Sequence, residues 1–443
     1  MEGSYKLDEK TKAHELLKEW KNDSYVFGIN VLDKVSEMAK VFGSKTLLIG
    51  SSSKWAQKHI DRITESLNKA KIQFINILGA RPNCPREDLY RIACQVTQYK
   101  PDSIMAFGGG STIDAAKAAS VLTVYTPSEV SKALGVDWKI ADSIDPYFGT
   151  GIVTKIKNAT NKDVIPVIAV QAASSSAAHL TKYSNITDIA ISQKKLIVDD
   201  AITPKKSIFD YSVTVGSPHN LTLDGAMDGI AHSWEVLMGA TGKDYYEKVK
   251  LVASLGIKLI IKNLKSALKD DLDAKVAMGL GTDLGGYSIM IGGTNGPHLG
   301  SFSLVDILSH GRACAILNPF YTVFFSPNIH DQLITLGTIF QEVGMISEKL
   351  DLGGFEGRKL GETVAKAMID FNSSLGFPTS LREAGASTSH IKTMLEAAKD
   401  PQLKMKLLNM PTPLDAEKGD IDKYMKCVLK AAYIGDFRKI ITK

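Results

Sequence analysis

The sequence predicts an α/β N-terminal domain with a parallel sheet, followed by an all-α C-terminal domain. Apolar runs alternate with helical segments over residues 45–107, which is typical of a parallel sheet covered by helices on both faces. One of these runs ends in three consecutive glycines at the start of an Ala-rich segment. From about residue 217 the pattern is helical nearly to the end. We therefore predict one domain over 1–216 and another over 217–443, with the active site between them.

Composition narrows the class of protein. The chain has 443 residues, enough for two domains with separate cores. Its 53 basic and 48 acidic residues are spread along the sequence, which argues against a nucleic-acid partner. The four cysteines form no C-x-x-C pair, so we expect a reducing compartment. Neither an apolar signal segment nor a long apolar run is present; we therefore expect a cytoplasmic protein with no membrane partner.

The elements of the first half follow from its alternating pattern. Residues 8–21 read as a charged surface helix. Residues 123–164 are mixed and polar, and we interpret them as an insertion at the rim of the sheet. The other predicted elements are strands at 45–50, 72–78, 103–107 and 164–170, and helices ending near residue 70 and over 86–99.

The glycine turn, which we define as Gly108, Gly109, Gly110 and Ser111, lies between a predicted strand and a predicted helix starting at Asp114. Glycines allow the backbone to approach an anion, and the first N–H groups of a helix lack intrahelical partners. The turn therefore suggests a phosphate-binding site. Taken alone the signal is weak, because a glycine loop is equally often a simple turn.

The second half carries candidate metal ligands. Asp228 and His232 are spaced i,i+4 and share one helix face. His298 and His310 follow, the latter in the largely apolar sequence LVDILSHGRACAILNP. One carboxylate and three imidazoles suit Fe²⁺, Zn²⁺ or a neighbouring transition metal. The alternative is a surface Asp–His pair and two core histidines. The helices predicted here span 221–237, 245–264, 272–290, 312–324, 331–343, 360–375 and 421–433.

From about Tyr25 onwards the chain resembles the iron-containing (group III) alcohol dehydrogenase family. The resemblance rests on the order and spacing of short blocks. These are Tyr25-Val26-Phe27-Gly28, the glycine turn with Asp114 and Lys117, Asn185-Ile186-Thr187-Asp188, Asp228 with His232, His310-Gly311 and Gly376-Phe377-Pro378.

The resemblance implies a Rossmann-like α/β N-terminal domain and an all-α C-terminal domain, an architecture shared with dehydroquinate synthase. It also implies an NAD(P)-dependent interconversion of an alcohol and an aldehyde or ketone. It implies a divalent metal in the interdomain cleft, held by Asp228, His232, His298 and His310. The glycine turn would hold the pyrophosphate, and Asp114 would lie at the nicotinamide-side pocket, where we assign it a catalytic and cofactor-binding role.

The sequence departs from the family pattern at two places. Where the family usually has Pro-Thr-Thr-x-Gly-Thr and a glutamate, this chain has Gln171-Ala172-Ala173 followed by Ser174, Ser175, Ser176 and then His179. We expect these serines to contact the cofactor and name His179 as a candidate for proton delivery, beside water and the ribose hydroxyls. Where the family often has a further histidine, the chain has Phe302.

The segment after the first predicted strand bears on the choice of cofactor. Ser51, Ser52, Ser53 and Lys54 offer hydroxyls and a cation but no carboxylate. A carboxylate there would repel a 2′-phosphate, so its absence favours NADP over NAD. The alternative is that the serines only cap the next helix.

Two rival functions remain open at this point. A metal- and NAD-dependent lyase of the sugar-ring-forming synthase type would need a cluster of cations, and the segments flanking Asp228 and His310 supply only Arg312. A relative that binds nucleotide without turnover is the second rival. The identity of the alcohol is not encoded in any motif, and a homodimer is one option for the oligomeric state.

Overall fold

The computed structural model describes residues 8–51, 53–136 and 143–443. Contacts divide the chain into two compact units. An α/β unit contains residues 21–218 and 270–279, and a helical unit contains the N-terminal residues to 20, 219–269 and 280–443. One division falls between residues 218 and 219, and residues 8–20 and 270–279 each group with the unit that is more distant from them along the chain. The domains 1–216 and 217–443 stay a prediction.

The α/β unit is built on a parallel sheet, as the sequence predicts. In the described part of the chain six strands pair in the order β1-β9-β6-β4-β2-β3, every neighbouring pair parallel. A three-stranded sheet, β5-β8-β7, lies beside it. The strands are β1 Tyr25–Gly28, β2 Lys45–Gly50, β3 Gln73–Leu78, β4 Ser103–Gly108, β5 Gly149–Thr150, β6 Val167–Gln171, β7 Tyr183–Asp188, β8 Gln193–Val198 and β9 Lys206–Asp210.

Helices follow the strands of this unit. The described part of the segment predicted as an insertion, 123–164, contains two helices and the short strand β5, and it contributes to the same apolar core as β4 and its neighbours. Residues 137–142 lie outside the described ranges. In chain order, after α1 Glu9–Lys21, the helices are α2 Val35–Lys40, α3 Gln57–Lys69, α4 Arg86–Tyr99, α5 Gly110–Leu122, α6 Pro127–Leu134 and α7 Ile152–Thr160.

Each of the helices predicted after residue 217 is present, together with shorter ones that the sequence pattern did not reveal. They belong to the helical unit, except that residues 272–279 of the helix Leu272–Ile291 group with the α/β unit. Within the described ranges, none of the helices combines the length and the apolar character needed to cross a bilayer. The helices are α8 His219–Gly239, α9 Tyr246–Ala267, α10 Leu272–Ile291, α11 Gly296–Ser301, α12 His310–Phe325, α13 His330–Glu342, α14 Gly357–Ser374, α15 Thr388–Ala397, α16 Lys404–Leu408 and α17 Lys426–Ile434, the last preceded by a π-helical turn, Ile421–Met425.

Helix α1 belongs to the helical unit because one of its faces is apolar and buried there. Leu16 and Leu17 are buried, and the indole of Trp20 stacks on the ring of Tyr287 with centroids 4.4 Å apart. Lys258 Nζ lies 2.9 Å from the carboxylate of Glu9. The prediction of a charged surface helix therefore describes only its exposed face. The opposite, apolar face contacts α9 and α10.

Candidate functional site

The four predicted metal ligands converge in the helical unit. Helix α8 supplies Asp228 and His232, α11 supplies His298 and α12 supplies His310. The Nε2 atoms of the three histidines lie 3.6, 3.6 and 3.7 Å from Asp228 Oδ1. The i,i+4 spacing on α8 aims two side chains at one point, and the other two elements close the cluster. We call these four residues the Asp228 cluster.

The residues of this cluster fit a divalent transition metal. Asp228 Oδ1 and His298 Nε2 are buried, and neither has a hydrogen-bond partner in the described part of the chain. Burying such atoms without partners costs about 1–3 kcal/mol each, a cost that coordination removes. Three imidazole nitrogens and a carboxylate oxygen are a donor set for Fe²⁺, Zn²⁺ and their neighbours.

Cys314 lies close to the cluster, but it contacts the edge of the His298 ring that faces away from Asp228. One ligand atom from each of Asp228, His298, His310 and Cys314 falls within 4.8 Å of the others. The thiol, however, is 3.6 Å from Nδ1 of His298, whereas it is Nε2 of that ring that faces Asp228. His232 therefore completes the ligand set better than Cys314 does.

Burial and the neighbouring charges leave the cluster with an ionised carboxylate and a neutral His232, but they favour the protonated form of His298, from which a metal would have to displace a proton. Burial raises the pKa of Asp228, but His232 and His310 outweigh it and hold that pKa far below its ordinary value. Burial lowers the pKa of His232 to about 4, so this ring is neutral near pH 7 and its lone pair is available. For His298 burial lowers the pKa, but Cys314 and Glu235 more than compensate and raise it well above the ordinary value.

Two supporting residues escaped the sequence reasoning. Glu235 Oε1 lies 2.6 Å from Nδ1 of His298, and Ser301 Oγ lies 2.9 Å from Nδ1 of His310. Partners of this kind orient metal-binding imidazoles. The signal for Glu235 was available, because it follows His232 by three positions and so shares the helix face of the two α8 ligands.

A buried cation and an aromatic ring adjoin the cluster. Phe302 stacks on the ring of His310, with centroids 5.8 Å apart. Lys406 Nζ lies 5.6 Å from the Phe302 centroid and donates to Thr294 Oγ1. Burial lowers the pKa of this lysine to about 8. The sequence reasoning named only Arg312 as a cation here. It missed Lys406, which lies on the five-residue helix α16.

The glycine turn runs from Gly108, the last residue of β4, into α5, which begins at Gly110, earlier than predicted. Gly109 is the residue before the helix, and no side chain caps the first N–H groups. A Cβ at Gly109 would meet nothing within 4 Å. The turn therefore leaves open space beside uncapped N–H groups, which is the arrangement that binds phosphate.

The serines of the 171–179 loop lie against this turn. A Cβ at Gly110 would stand 2.6 Å from Ser176 Oγ. The hydroxyls of Ser174 and Ser176 are buried without a hydrogen-bond partner among the described residues. Ser175 Oγ is 3.4 Å from the Gln171 amide nitrogen. Hydroxyls left without partners beside a helix N-terminus fit the phosphates of a dinucleotide.

The segment after β2 lies at the same edge of the sheet as the glycine turn, because β2 and β4 are parallel neighbours. Ser51 Oγ accepts from the backbone N–H of Ser53 at 3.3 Å, and the Ser53 side chain does not cap the following helix. Lys54 is exposed. Ser52, also predicted to bind the cofactor, lies outside the described residues.

Asp114 and His179 are held by contacts inside the α/β unit. Asp114 Oδ2 accepts from the backbone N–H of Asn185 at 3.1 Å and from its side-chain amide at 3.2 Å, and burial raises the pKa of Asp114. His179 is fully buried, with Nε2 3.2 Å from the Tyr25 hydroxyl. These contacts tie α5 to β7 and the 171–179 loop to β1. The catalytic roles assigned to both residues stay predictions.

Comparison with known proteins agrees with both halves of this description. Residues 22–211 match the profile of iron-containing alcohol dehydrogenases, and residues 222–427 match the C-terminal profile of the Fe-containing alcohol dehydrogenase family. The chain is 24% identical to an NADPH-dependent butanol dehydrogenase of Clostridium saccharobutylicum, covering 89% of this chain and 94% of that protein. It is also 24% identical to NADH-dependent butanol dehydrogenase A of Clostridium acetobutylicum, covering 84% and 90%. An archaeal alcohol dehydrogenase from a Red Sea brine pool has a similar fold, with a TM-score of 0.76, 21% identity and coverage of 93% and 97%.

Proposed function

The chain belongs to the iron-containing alcohol dehydrogenase family, and from this premise we propose that it reduces a short aliphatic aldehyde with NADPH and oxidises the matching alcohol. Membership makes it an NAD(P)-dependent oxidoreductase that interconverts an alcohol and an aldehyde or ketone. The finer assignments are our proposal: Fe²⁺ as the metal, NADPH as the preferred cofactor and the Asp228 cluster as the ligand set.

The residues of the chain have distinct tasks in this reaction. A bound divalent metal polarises a carbonyl oxygen, and the cofactor supplies the hydride. His232, His298 and His310 present Nε2 towards the carboxylate of Asp228. Burial of His232 and His298 keeps bulk water away from these two rings, whereas His310 is half-buried. Because the turn is uncapped, its N–H groups can bind pyrophosphate and so orient the nicotinamide end of the cofactor. The assignment of proton delivery to His179 is part of the proposal.

The preference for NADPH rests on the residues after β2. Ser51, Ser53 and Lys54 present hydroxyls and an ammonium group, with no carboxylate to repel a 2′-phosphate. The Ser53 side chain does not serve as a helix cap, which removes the competing explanation for that residue. Relatives of both kinds exist, one NADPH-dependent and one NADH-dependent, so measurement must decide.

The single observation that carries the proposal is the convergence of three imidazole Nε2 atoms on Asp228 Oδ1. The test is anaerobic oxidation of NADPH and, in parallel, of NADH with short aldehydes, after Fe²⁺ or Zn²⁺ has been restored. We expect aldehyde-dependent consumption that prefers NADPH and is abolished by a chelator. Preference for NADH would refute the assignment of NADPH as the preferred cofactor but would leave the assigned alcohol–aldehyde reaction intact.

His232→Ala is the variant that tests the ligand set in the same assay. We expect it to lose metal and turnover while keeping the circular dichroism of the parent. Full metal content together with full turnover would refute the ligand assignment. Absence of turnover in the parent chain, despite bound metal and nucleotide, would instead favour one of the two rival functions, the lyase or the non-catalytic relative. The similarity to dehydrogenases argues against both rivals.

A further inference from the structure

Glu235 is the most completely enclosed acid beside the Asp228 cluster. Its relative exposure is 0%. Its Oε1 lies 2.6 Å from Nδ1 of His298 and 3.3 Å from the Asn318 side-chain amide. Its Oε2 accepts from the backbone N–H groups of Asn295 at 2.9 Å and of His298 at 3.3 Å. Every contact is with a nitrogen that can donate, and only a carboxylate offers enough acceptor sites for four of them.

These contacts determine where α11 lies. The helix has six residues, too few to hold its own position by helix stability. Asn295 precedes it, accepting from the backbone N–H of Gly296 and donating through its side-chain amide to the carbonyl of Glu235 at 2.7 Å. The side chain and the backbone of Glu235 therefore both anchor the start of the helix that carries His298.

The contact with the ring also determines which nitrogen of His298 is available. When Nδ1 carries the hydrogen and donates it to Glu235, Nε2 keeps its lone pair and faces Asp228 Oδ1 at 3.6 Å. We propose that Glu235 is a positioning residue that fixes the orientation and tautomer of His298 and thereby sets the metal affinity of the Asp228 cluster. The inference rests on the metal site proposed above.

Replacement by glutamine discriminates this role from simple packing, because the two side chains have the same shape. A glutamine oxygen turned towards His298 leaves an amide group facing the two backbone N–H donors. Turned the other way, the amide donates to Nδ1 and moves the ring hydrogen to Nε2, where it blocks the metal. Either outcome impairs His298. We expect Glu235→Gln to weaken metal binding about 10–100-fold, the range found for partners of metal-binding histidines.

The experiment is titration of the metal-free protein with Co²⁺ alone, followed by visible absorption. Glu342→Gln is the matched control: it makes the same chemical change on α13, where the carboxylate pairs with Lys258 at the surface. We expect parental Co²⁺ affinity in the control and a 10–100-fold weaker affinity in Glu235→Gln. Circular dichroism checks folding. If Glu235→Gln does not fold, Glu235→Asp, which keeps both acceptor oxygens on a shorter arm, takes its place with an expected loss of about tenfold.

A double-mutant cycle with His298→Ala tests whether the effect passes through that ring. We expect the substitution at Glu235 to change Co²⁺ affinity less than about twofold once His298 is absent. Unchanged affinity in a folded Glu235 variant, or the same loss with and without His298, would overturn the inference. If the parent chain itself binds no Co²⁺, the proposed metal site fails, and that result is distinct from failure of the Glu235 role.

Discussion

At the scale of single residues, neighbouring glycines of the glycine turn have different reasons to lack a side chain. A Cβ at Gly108 would lie 2.7 Å from Thr112 Cβ, whereas one at Gly109 would meet nothing within 4 Å. Gly108→Ala should therefore destabilise the fold by about 1–3 kcal/mol through overpacking. Gly109→Ala should cost at most about 1 kcal/mol, because alanine is a poorer residue at this helix boundary.

For cofactor affinity Gly109→Ala should be the more harmful of the two substitutions, although it costs less stability than Gly108→Ala. The methyl group of Gly109→Ala fills the space that we assign to phosphate, so we expect its dissociation constant for NADPH to rise at least about tenfold, a loss of about 1.4 kcal/mol. Fluorescence titration measures the affinity, and thermal unfolding followed by circular dichroism measures the stability. Parental NADPH affinity in Gly109→Ala would mean that the phosphate lies elsewhere.

Lys117 links the stability of the α/β unit to pH. Its buried Nζ donates to the carbonyls of Thr181 and Tyr183 at 2.8 and 2.9 Å, and burial lowers its pKa from 10.5 to about 8. Between those two values the folded chain releases a proton that the unfolded chain keeps, so the free energy of unfolding gains a positive contribution as pH rises. That contribution reaches about 1.4 kcal/mol per pH unit for one proton.

Lys117→Met should remove this pH-dependent contribution. Loss of the two hydrogen bonds lowers stability by the same amount at every pH, whereas loss of the titrating group changes the slope. Urea unfolding at several values between pH 8 and 10 measures both. A variant whose slope equals that of the parent would show that Lys117 does not release its proton in this interval.

At the scale of elements, α12 contains a proline whose effect is compensated by another helix. Pro319 lies inside α12 and has no N–H to donate to the carbonyl of Ala315, four positions earlier. Asn372 on α14 donates its side-chain amide to that carbonyl at 2.9 Å. We expect Asn372→Ala to cost about 1–3 kcal/mol, because it leaves a buried carbonyl without a partner.

The proline supplies the control for that prediction. In a Pro319→Ala background the helix can close its own hydrogen bond, so Asn372→Ala should cost clearly less there than in the parent chain. Urea unfolding of the four proteins gives the coupling free energy. Equal costs in the two backgrounds would refute the compensation.

The elements show where sequence patterns suffice. The strand 45–50 and the helix 86–99 are observed as predicted: the strand is a short apolar run bounded by a glycine, and the helix is a 14-residue segment with one apolar face. Helix α11 was missed, since it has six residues and contains glycine and proline. Strand β1 was also not predicted. It has only four residues, and it is positioned by pairing with β9, which is distant in sequence.

The same distinction applies to the candidate site. Asp228 and His232 were visible from their helical spacing and His310 from its apolar surroundings, and the family resemblance implied all four ligands, His298 included. Ser301 and Lys406 had no local signal, because they reach the cluster only through packing of α11 and α16. The early start of α5 at Gly110 was also hidden, since glycine is a poor helix former and the turn relies on the surrounding structure.

At the scale of the whole molecule, the residues that we propose for the metal and those that we propose for the nucleotide lie in different units. The Asp228 cluster lies wholly in the helical unit, and the glycine turn with Ser174 and Ser176 lies wholly in the α/β unit. A ligand stabilises the state that binds it, by about 2.7 kcal/mol when its concentration is 100 times the dissociation constant. Metal and nucleotide should therefore stabilise different parts of the chain.

Hydrogen exchange makes this separation measurable. On the proposed ligand set, Zn²⁺ would join side chains from α8, α11 and α12. We therefore expect slower amide exchange in those helices when it is added to the metal-free protein, because their local opening becomes coupled to metal release. NADPH should slow exchange at the start of α5 and in residues 171–176 instead. In His232→Ala the effect of Zn²⁺ should disappear while the effect of NADPH remains. If Zn²⁺ protected the same helices equally in that variant, the metal would be held by other residues, since a ligand set that loses one of its imidazoles cannot keep its full affinity.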